Sequence, residues 1–366
     1  MVYRVIGLMS GSSLDGLDIA FVYLEETAGA WTFDIRNTVC YPYNNEWIER
    51  LINATGLSAY EYQLLHCDYG HHLGKEVNRF IAENELQYQV QLIASHGHTT
   101  FHNPSRKMTG QLGDGSAIAA ETGINVVSDL RALDIALGGQ GAPIVPIGEK
   151  LLLGDYHFFL NLGGIANISA HPVNGDFIAF DVCPANRILN MLTGEKGLEF
   201  DDHGSMAAKG SINPMLLGKL NQLPYYGLGF PKSLANDFGT DIIYPLIRQE
   251  QGTVETKLRT YVEHICLQIE NSIQQIVKQR DFGGGKLKLF ATGGGVKNDF
   301  LMERLGALLS KRNIEMVEPD PTMADYKEAL VMALMGVLRW REERTVLSSV
   351  TGATRDSIGG AVWIGQ

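Results

Sequence analysis

The chain has 366 residues, enough for two or three domains, and its 45% hydrophobic and 19% charged residues are typical of folded globular proteins and exclude a disordered chain. A formal net charge of -11 without any basic run argues against a nucleic-acid partner. The 41 glycines predict many tight turns or close contacts with a ligand.

Cysteine spacing and hydropathy both favour a cytoplasmic protein. The four cysteines are far apart and form no pair typical of a disulfide framework. The N-terminal apolar run is interrupted at Gly7 and is too short for a signal peptide. The longest apolar helical stretch, residues 329–338, is well below the about 20 residues that span a bilayer. We therefore expect neither export nor a membrane partner.

Three glycine turns follow predicted strands. The first turn, residues 7–16, separates strands over 2–6 and 17–24, and the second lies at Gly163 and Gly164 within a strand-turn-strand unit over 156–169. The third comprises Gly293, Gly294 and Gly295, after a strand over 287–291 and before a helix over 298–309. Their spacing of roughly 150 and 130 residues suggests two related halves.

Helices and strands alternate between these turns. Helical periodicity covers residues 47–51, 60–84, 115–122 and 258–279, and strand-like runs cover 90–94 and 125–127. This alternation predicts an α/β fold. We expect an N-terminal lobe of residues 1–130 plus 345–366, to which a strand at 361–364 returns, and a C-terminal lobe of 131–344. The segment rich in glycine and proline, 137–146, is the predicted crossing loop.

The glycine turns favour a nucleotide site, because glycine allows backbone N–H groups to approach phosphates. Hydroxyl groups at Ser10, Ser12 and Ser13 and carboxylates at Asp15 and Asp18 accompany the first turn. The sequence contains no P-loop, dinucleotide fingerprint or protein-kinase signature. A phosphate site formed by several hairpin turns is the remaining interpretation.

Asp181 and Cys183 follow an apolar run over 177–180. A carboxylate at a strand end can serve as a general base, but an Asx turn or the N-cap of the next helix is an equally good interpretation. Cys183 has no neighbouring histidine to activate it, so we expect a buried small residue.

The segment 95–104 holds His96, His98 and His102, which suggests either a metal site or a polar loop in contact with substrate. We favour the loop and assign no metal ligand. Arg131 and Asp134 follow a strand and could bind an anionic substrate group, or form a surface ion pair. Glu328 precedes the apolar helix over 329–338 and could be an N-terminal helix charge or a substrate contact.

Taken in chain order, GLMSGSSLDGLD, SHGHTTFHNP, SDLRALDIALGGQGAPIVP, NLGGIANIS, TGGGVKN and KEALVMAL resemble the motifs of the anhydro-N-acetylmuramic acid kinases over essentially the whole chain. The resemblance implies a two-lobed actin-like ATPase fold with ribonuclease H-like halves and with nucleotide and sugar in the interdomain cleft. It implies ATP- and Mg-dependent hydrolysis and O6 phosphorylation of 1,6-anhydro-N-acetylmuramic acid, in peptidoglycan recycling. A homodimer is compatible with it.

The resemblance also implies roles for individual residues. Asp181 would activate water, and sugar contacts would come from His96, Thr99, Arg131 and Glu328. ATP and its phosphates would contact three groups of residues: Gly11, Ser12, Ser13, Leu14, Asp15, Gly16, Leu17 and Asp18; Gly163, Gly164 and Asn167; and Gly293, Gly294 and Gly295.

The chain departs from the family pattern around Asp181. It reads Asp181-Val182-Cys183-Pro184-Ala185-Asn186 where the family has D-T-G-P-G-N, and residues 232–237 also differ. The alternatives are a kinase for another sugar or small acid, and a non-catalytic ATP-binding regulator.

Overall fold

The computed structural model describes residues 1–11, 14–173, 177–230, 232–234, 237–317 and 320–365. The strands, in chain order, are β1 (Val2–Ser10), β2 (Gly16–Thr27), β3 (Ala30–Pro42), β4 (Leu92–Asn103), β5 (Met108–Leu112), β6 (Asn125–Ser128), β7 (Phe158–Leu162), β8 (Ile165–Ala170), β9 (Ile178–Pro184), β10 (Leu287–Thr292), β11 (Ile314–Val317) and β12 (Ala361–Trp363).

The α-helices, in chain order, are α1 (Asn45–Ile52), α2 (Ala59–Glu83), α3 (Gly115–Thr122), α4 (Ala132–Ala136), α5 (Pro146–Leu152), α6 (Asn186–Gly194), α7 (Ser205–Lys209), α8 (Pro214–Asn221), α9 (Tyr244–Gln249), α10 (Val254–Gln279), α11 (Asp299–Ser310), α12 (Pro321–Trp340) and α13 (Ser348–Thr351). The strands and helices predicted around the three glycine turns are confirmed, and most extend beyond their predicted ends.

The chain divides into two compact units, which differ from the predicted lobes. Unit 1 comprises Met1–Leu153 and Pro321–Gln366, and unit 2 comprises Gly154–Asp320. The difference arises mainly from α12, which packs on β1, β2 and β4 and so belongs with the first sheet. The predicted crossing loop, 137–146, lies inside unit 1, because the boundary falls after Leu153.

Each unit contains one mixed sheet, and the two sheets share a topology. In unit 1 the order is β12-β6-β4-β1-β2-β3, with β5 paired to β4. In unit 2 the order is β11-β10-β7-β8-β9. In both, an antiparallel three-stranded meander is followed by two strands parallel to its first strand. The α/β prediction and the two related halves are therefore confirmed, and β12 returns to the first sheet through β6.

Both faces of the first sheet are covered. On one face, strand residues such as Ile6 and Ile93 pack with Tyr69 and Phe80 of α2. On the other, the apolar part of α12 lies so close that a Cβ at Gly7 would sit 1.9 Å from the carbonyl oxygen of Ala329. The prediction that residues 329–338 form core is confirmed. None of the helices described here is long and apolar enough to cross a bilayer.

Candidate functional site

The first glycine turn joins β1 to β2 in unit 1, and its Ser12 and Ser13 lie outside the described residues. The backbone N–H of Leu14 donates to the Gly11 carbonyl over 3.4 Å. Gly16 passes so close to β3 that a Cβ would lie 2.5 Å from the Tyr41 carbonyl oxygen. The side chain of Leu17 is buried in the core, and the residue pairs with Ser10 of β1 and Tyr41 of β3 within the sheet.

Carboxylates collect beside this turn. Asp18 on β2 is half-buried, and burial raises its pKa to about 6, with smaller contributions from the charges of Asp15, Glu328 and Asp325. The last two lie on α12, far along the chain. Glu328 stands within α12, which begins at Pro321, so its interpretation as an N-terminal helix charge is wrong. In the described ranges, no group of three His, Cys, Asp or Glu side chains is placed to hold a metal ion.

The histidines of β4 have separate partners. His96 donates from Nδ1 to the Gly97 carbonyl over 2.8 Å and accepts at Nε2 from Nε of Arg131, also over 2.8 Å. Burial and the Arg131 charge lower the pKa of His96 to about 3, so its ring is neutral. His98 contacts Ser10, and His102 contacts Thr109. All three histidines lie on strand β4, so the prediction of a loop is wrong.

Arg131 is held by neutral acceptors. Besides His96, its Nη1 donates to the Gly141 carbonyl over 2.5 Å, and burial lowers its pKa to about 10 against the opposing charges of Glu328 and Asp134. Among the described residues, no carboxylate forms an ion pair with Arg131 and no acceptor contacts its Nη2. The surface ion-pair interpretation is therefore wrong, and the guanidinium keeps a free edge for an anion.

Asp134 stabilises the loop that contains Gly141, and it does not pair with the guanidinium of Arg131. It is 1% exposed, and it accepts from the Gly141 N–H over 2.8 Å and from the Thr351 hydroxyl over 2.7 Å. The same Gly141 presents its carbonyl to Arg131, so Asp134 positions one of the partners of Arg131.

A buried hydroxyl network surrounds Ser10, at the end of β1 and directly before the first turn. Ser10 Oγ lies 2.9 Å from the hydroxyls of both Tyr43 and Tyr69 and 3.2 Å from Nδ1 of His98, and the two tyrosine hydroxyls are 2.6 Å apart. Sequence reasoning missed the two tyrosines, because nothing in the spacing of Tyr43 and Tyr69 links them to Ser10. Thr99, the other predicted sugar contact on β4, is half-buried and lies 3.4 Å from Nε2 of Gln111.

In unit 2 the second and third glycine turns lie together. A Cβ at Gly293 would lie 2.4 Å from Oδ1 of Asn161, and one at Gly295 would lie 2.7 Å from the Cβ of Leu162. Gly294 differs, because the nearest atom to its Cβ position is 3.9 Å away. Gly163 and Gly164 are similarly uncrowded, with nearest atoms at 3.4 and 3.9 Å. These three glycines therefore have no close neighbour among the described residues at their Cβ positions, unlike Gly293 and Gly295.

Asn186 joins these two turns. Its Nδ2 donates to the Leu162 carbonyl over 2.9 Å, and its backbone N–H donates to the Gly163 carbonyl over 3.1 Å. Its side chain also borders the Cβ positions of Gly294 and Gly295. Retention of this asparagine in the altered segment 181–186 was the only sequence signal for this role.

Asp181 lies within β9, not at the end of a strand, since β9 continues to Pro184. The residue before α6 is Ala185, so the N-cap interpretation is also wrong. Asp181 is opposite Asn167 of β8, which brings two predicted site residues side by side.

The Asp181 carboxylate is half-buried, and burial raises its pKa. Its Oδ2 accepts from the backbone N–H of Leu234 over 2.9 Å, a contact distant in sequence and therefore not a local Asx turn. Oδ1 has no partner among the described residues. The backbone of Asp181 is fixed by the hydroxyl of Tyr225 at 2.6 Å and the Lys232 carbonyl at 3.2 Å. Asp181 therefore has one anchored and one available oxygen.

Cys183 is fully buried, and burial raises the pKa of its thiol. A buried thiol with a raised pKa carries little thiolate and is a poor nucleophile. The prediction of a buried packing residue is confirmed.

A sequence model of the family described as anhydro-N-acetylmuramic acid kinase matches residues 3–365. The anhydro-N-acetylmuramic acid kinase of Vibrio cholerae serotype O1 is 32% identical over 98% of this chain and 97% of its own length. The protein of the same name from Haemophilus influenzae is also 32% identical, with the same coverage. Among solved structures, component A of the Acidaminococcus fermentans (R)-2-hydroxyglutaryl-CoA dehydratase is 12% identical, covers 91% of this chain and 97% of its own, and has a TM-score of 0.43. The match of family and relatives over nearly the full length shows that the chain belongs to the anhydro-N-acetylmuramic acid kinase family of phosphotransferases.

Proposed function

We propose that the chain opens 1,6-anhydro-N-acetylmuramic acid with water and transfers the γ-phosphoryl group of ATP to O6, giving N-acetylmuramic acid 6-phosphate for cell-wall recycling. The observation that carries the proposal is Asp181, whose carboxylate has one oxygen fixed by Leu234 and the other without a partner in the described residues. Its raised pKa brings the group nearer to the range in which a general base works efficiently.

In this proposal Asp181 removes a proton from the water that attacks the anomeric carbon. The bridging oxygen leaves that carbon and becomes O6, which then accepts the phosphoryl group. Phosphoryl transfer depends mainly on positioning and on stabilisation of charge, so the fixed carboxylate and the open glycine turns supply the parts that this chemistry requires.

ATP would contact the uncrowded glycines of unit 2, namely Gly163, Gly164 and Gly294, where backbone N–H groups can approach phosphate. Mg would be held beside Asp18 and Asp15. This donor set fits, because Mg²⁺ usually takes one or two carboxylates with waters and substrate phosphates. Burial raises the pKa of Asp18, and the charges of Asp15, Glu328 and Asp325 add to the shift, so these carboxylates lie close enough to interact. Bound Mg would neutralise charge on the transferred phosphoryl group.

The sugar would be bound by the groups around Arg131 in unit 1. Its lactyl carboxylate suits the guanidinium, which is held by His96 and Gly141 and can form a charge-assisted pair. Glu328 is exposed and close enough to influence the pKa of both Asp18 and Arg131, so it is placed to accept hydrogen bonds from sugar hydroxyls. The four free cysteines support a cytoplasmic location.

The test is incubation of the pure protein with ATP, Mg and the anhydro sugar, with the product identified by mass and NMR. The expected product has gained one water and one phosphoryl group. A product that has gained phosphate alone, or turnover only with another sugar or small acid, would favour a different kinase. ATP binding without turnover of any such acceptor would favour the regulator.

A further inference from the structure

Unit 2 contains a polar pocket that shares no residue with the candidate site. Its volume is about 230 Å³, which suits a molecule the size of a monosaccharide. The lining consists of side-chain amides with one tyrosine and one lysine: Asn221, Tyr226, Gln268, Asn271, Gln274, Gln275 and Lys278. No carboxylate is among them.

Three of the amides are held in fixed orientations. Nε2 of Gln274 donates to Oε1 of Glu270 over 3.0 Å. Oδ1 of Asn221 accepts from Nδ1 of His264 over 2.6 Å and from Nε2 of Gln268 over 2.9 Å. Both donors use the same oxygen, so the Asn221 NH₂ group and the Gln268 carbonyl oxygen keep their hydrogen-bonding capacity. Neither has a partner in the part of the chain described. The pocket therefore presents a fixed donor and a fixed acceptor.

The hydroxyl of Tyr226 is the second observation that points to a ligand. The residue is 8% exposed, it lines the pocket, and its hydroxyl has no hydrogen-bond partner among the residues that the structure describes. Within the same residues, Nε2 of the fully buried, neighbouring His264 also has none. Buried polar groups are nearly always hydrogen-bonded, and each exception calls for an explanation such as a bound molecule.

We propose that this pocket binds a neutral, hydroxyl-rich molecule of monosaccharide size, with a ligand hydroxyl on Tyr226. Side-chain amides both donate and accept hydrogen bonds, as hydroxyl groups do, so the amide lining of the pocket is complementary to a ligand rich in hydroxyl groups. A charged ligand would need an opposite charge in the pocket. In the described part of the chain, the only charged lining residue is Lys278, whose side chain is exposed, and exposed ion pairs contribute little to binding. The inference does not rest on the proposed function, because it uses none of the candidate site residues.

The test uses the full chain with N-acetylglucosamine as the probe. Crystals soaked in the probe should show it in the pocket in contact with Tyr226, and calorimetry should show the affinity falling about tenfold in Tyr226→Phe, since the site is left with an unpaired ligand hydroxyl. Asn271→Leu, at an exposed position, should have a similar effect without a risk to folding. Gln279→Leu, an exposed amide at the end of the same helix but outside the pocket, should leave binding unchanged.

The proposal would be overturned by ordered water alone in the pocket of soaked crystals, by the probe bound only at the candidate site, or by equal affinity in parent, Tyr226→Phe and Asn271→Leu. Glucose 6-phosphate should bind no more tightly than glucose. Tighter binding of the phosphate ester would contradict a neutral ligand. Because the readout is binding at the pocket, failure here would leave the ATP and anhydro-sugar assay unaffected.

Discussion

The two units repeat one sheet topology but differ in what they place beside their glycine turns. Unit 1 places side chains there: the carboxylates around Asp18, the neutral His96 beneath Arg131, and the hydroxyl network of Ser10. Beside its glycine turns unit 2 places mainly backbone, with Gly163, Gly164 and Gly294 left uncrowded, and the half-buried carboxylate of Asp181 lies on β9. In the function proposed above, unit 1 would therefore bind its ligand by charge and orientation, whereas unit 2 would provide space for phosphate and a carboxylate for proton transfer.

The largest expected effect is at Asp181, the carboxylate of the candidate site in unit 2. Asp181→Asn should lower the rate of sugar phosphorylation by about 10²- to 10⁴-fold, because an amide cannot accept the proton. Folding and ATP affinity should be retained, since an asparagine oxygen can still accept from the Leu234 N–H. Steady-state kinetics and thermal melting check this, with exposed Asp155→Asn as the control. Near-parent turnover would remove Asp181 from the mechanism.

The backbone character of unit 2 is tested at Gly294. Gly294→Val should weaken ATP binding by about 1–3 kcal/mol, or about ten- to hundredfold, because it adds bulk where the parent has open space. Gly284→Val, at another uncrowded glycine of unit 2, is the matched control. Calorimetry measures both, and a folded Gly294→Val protein that binds ATP normally would exclude this turn from the site.

The orientation of charge in unit 1 is tested at Arg131. Arg131→Lys keeps the charge but loses the planar pair of donors, and we expect about tenfold weaker sugar binding with ATP affinity retained. Arg106→Lys, an exposed arginine, should change neither. Equal sugar affinity in Arg131→Lys and parent would show that the free edge of the guanidinium is not used.

The hydroxyl network of unit 1 should contribute to stability. Tyr69→Phe removes one hydrogen-bonding partner of Ser10 and should lower the free energy of unfolding by about 1–2 kcal/mol. Tyr60→Phe, on the exposed surface of the same helix, should have no effect. Denaturant titration measures the difference, and an unchanged midpoint would mean that the network is energetically neutral.

The pH dependence of stability tests the carboxylates of unit 1. Because the folded protein raises the pKa of Asp18 to about 6, the group stabilises the fold when protonated, and this contribution is lost as the pH rises through about 6. Without ligands, Asp18→Asn should therefore be more stable than the parent at pH 8, by about 1 kcal/mol after allowance for solvent screening. At pH 4 the two should be alike. Equal stability at both values would contradict the raised pKa.

Local features of the sequence predicted the fold well. The glycine turns, their flanking strands and the buried helix over 329–338 follow from short-range patterns of apolar residues and glycine. The unit boundaries could not be predicted from such patterns, because they depend on α12 packing against strands more than 200 residues earlier in the chain. Long-range packing of this kind leaves no periodic signal.

The residues of the candidate site also fall into those that local motifs could identify and those that depend on long-range contacts. The glycines and Asp181 could be selected from local motifs, but the position of Asp181 inside β9 could not, because the apolar run stops before the strand does. Likewise, the grouping of Glu328 with Asp18 and Arg131, and of Tyr43 and Tyr69 with Ser10, depends on contacts between distant segments.

The most direct test of the central claim, coupled attack by water and phosphoryl transfer, is turnover in water labelled with heavy oxygen. With ATP, Mg and the anhydro sugar, the label should appear at the anomeric carbon of the product, and the transferred phosphate should carry none. Asp181→Asn should form neither labelled nor unlabelled product at a comparable rate. Label in the transferred phosphate would contradict the account. So would a phosphorylated sugar whose anomeric oxygen carries no label.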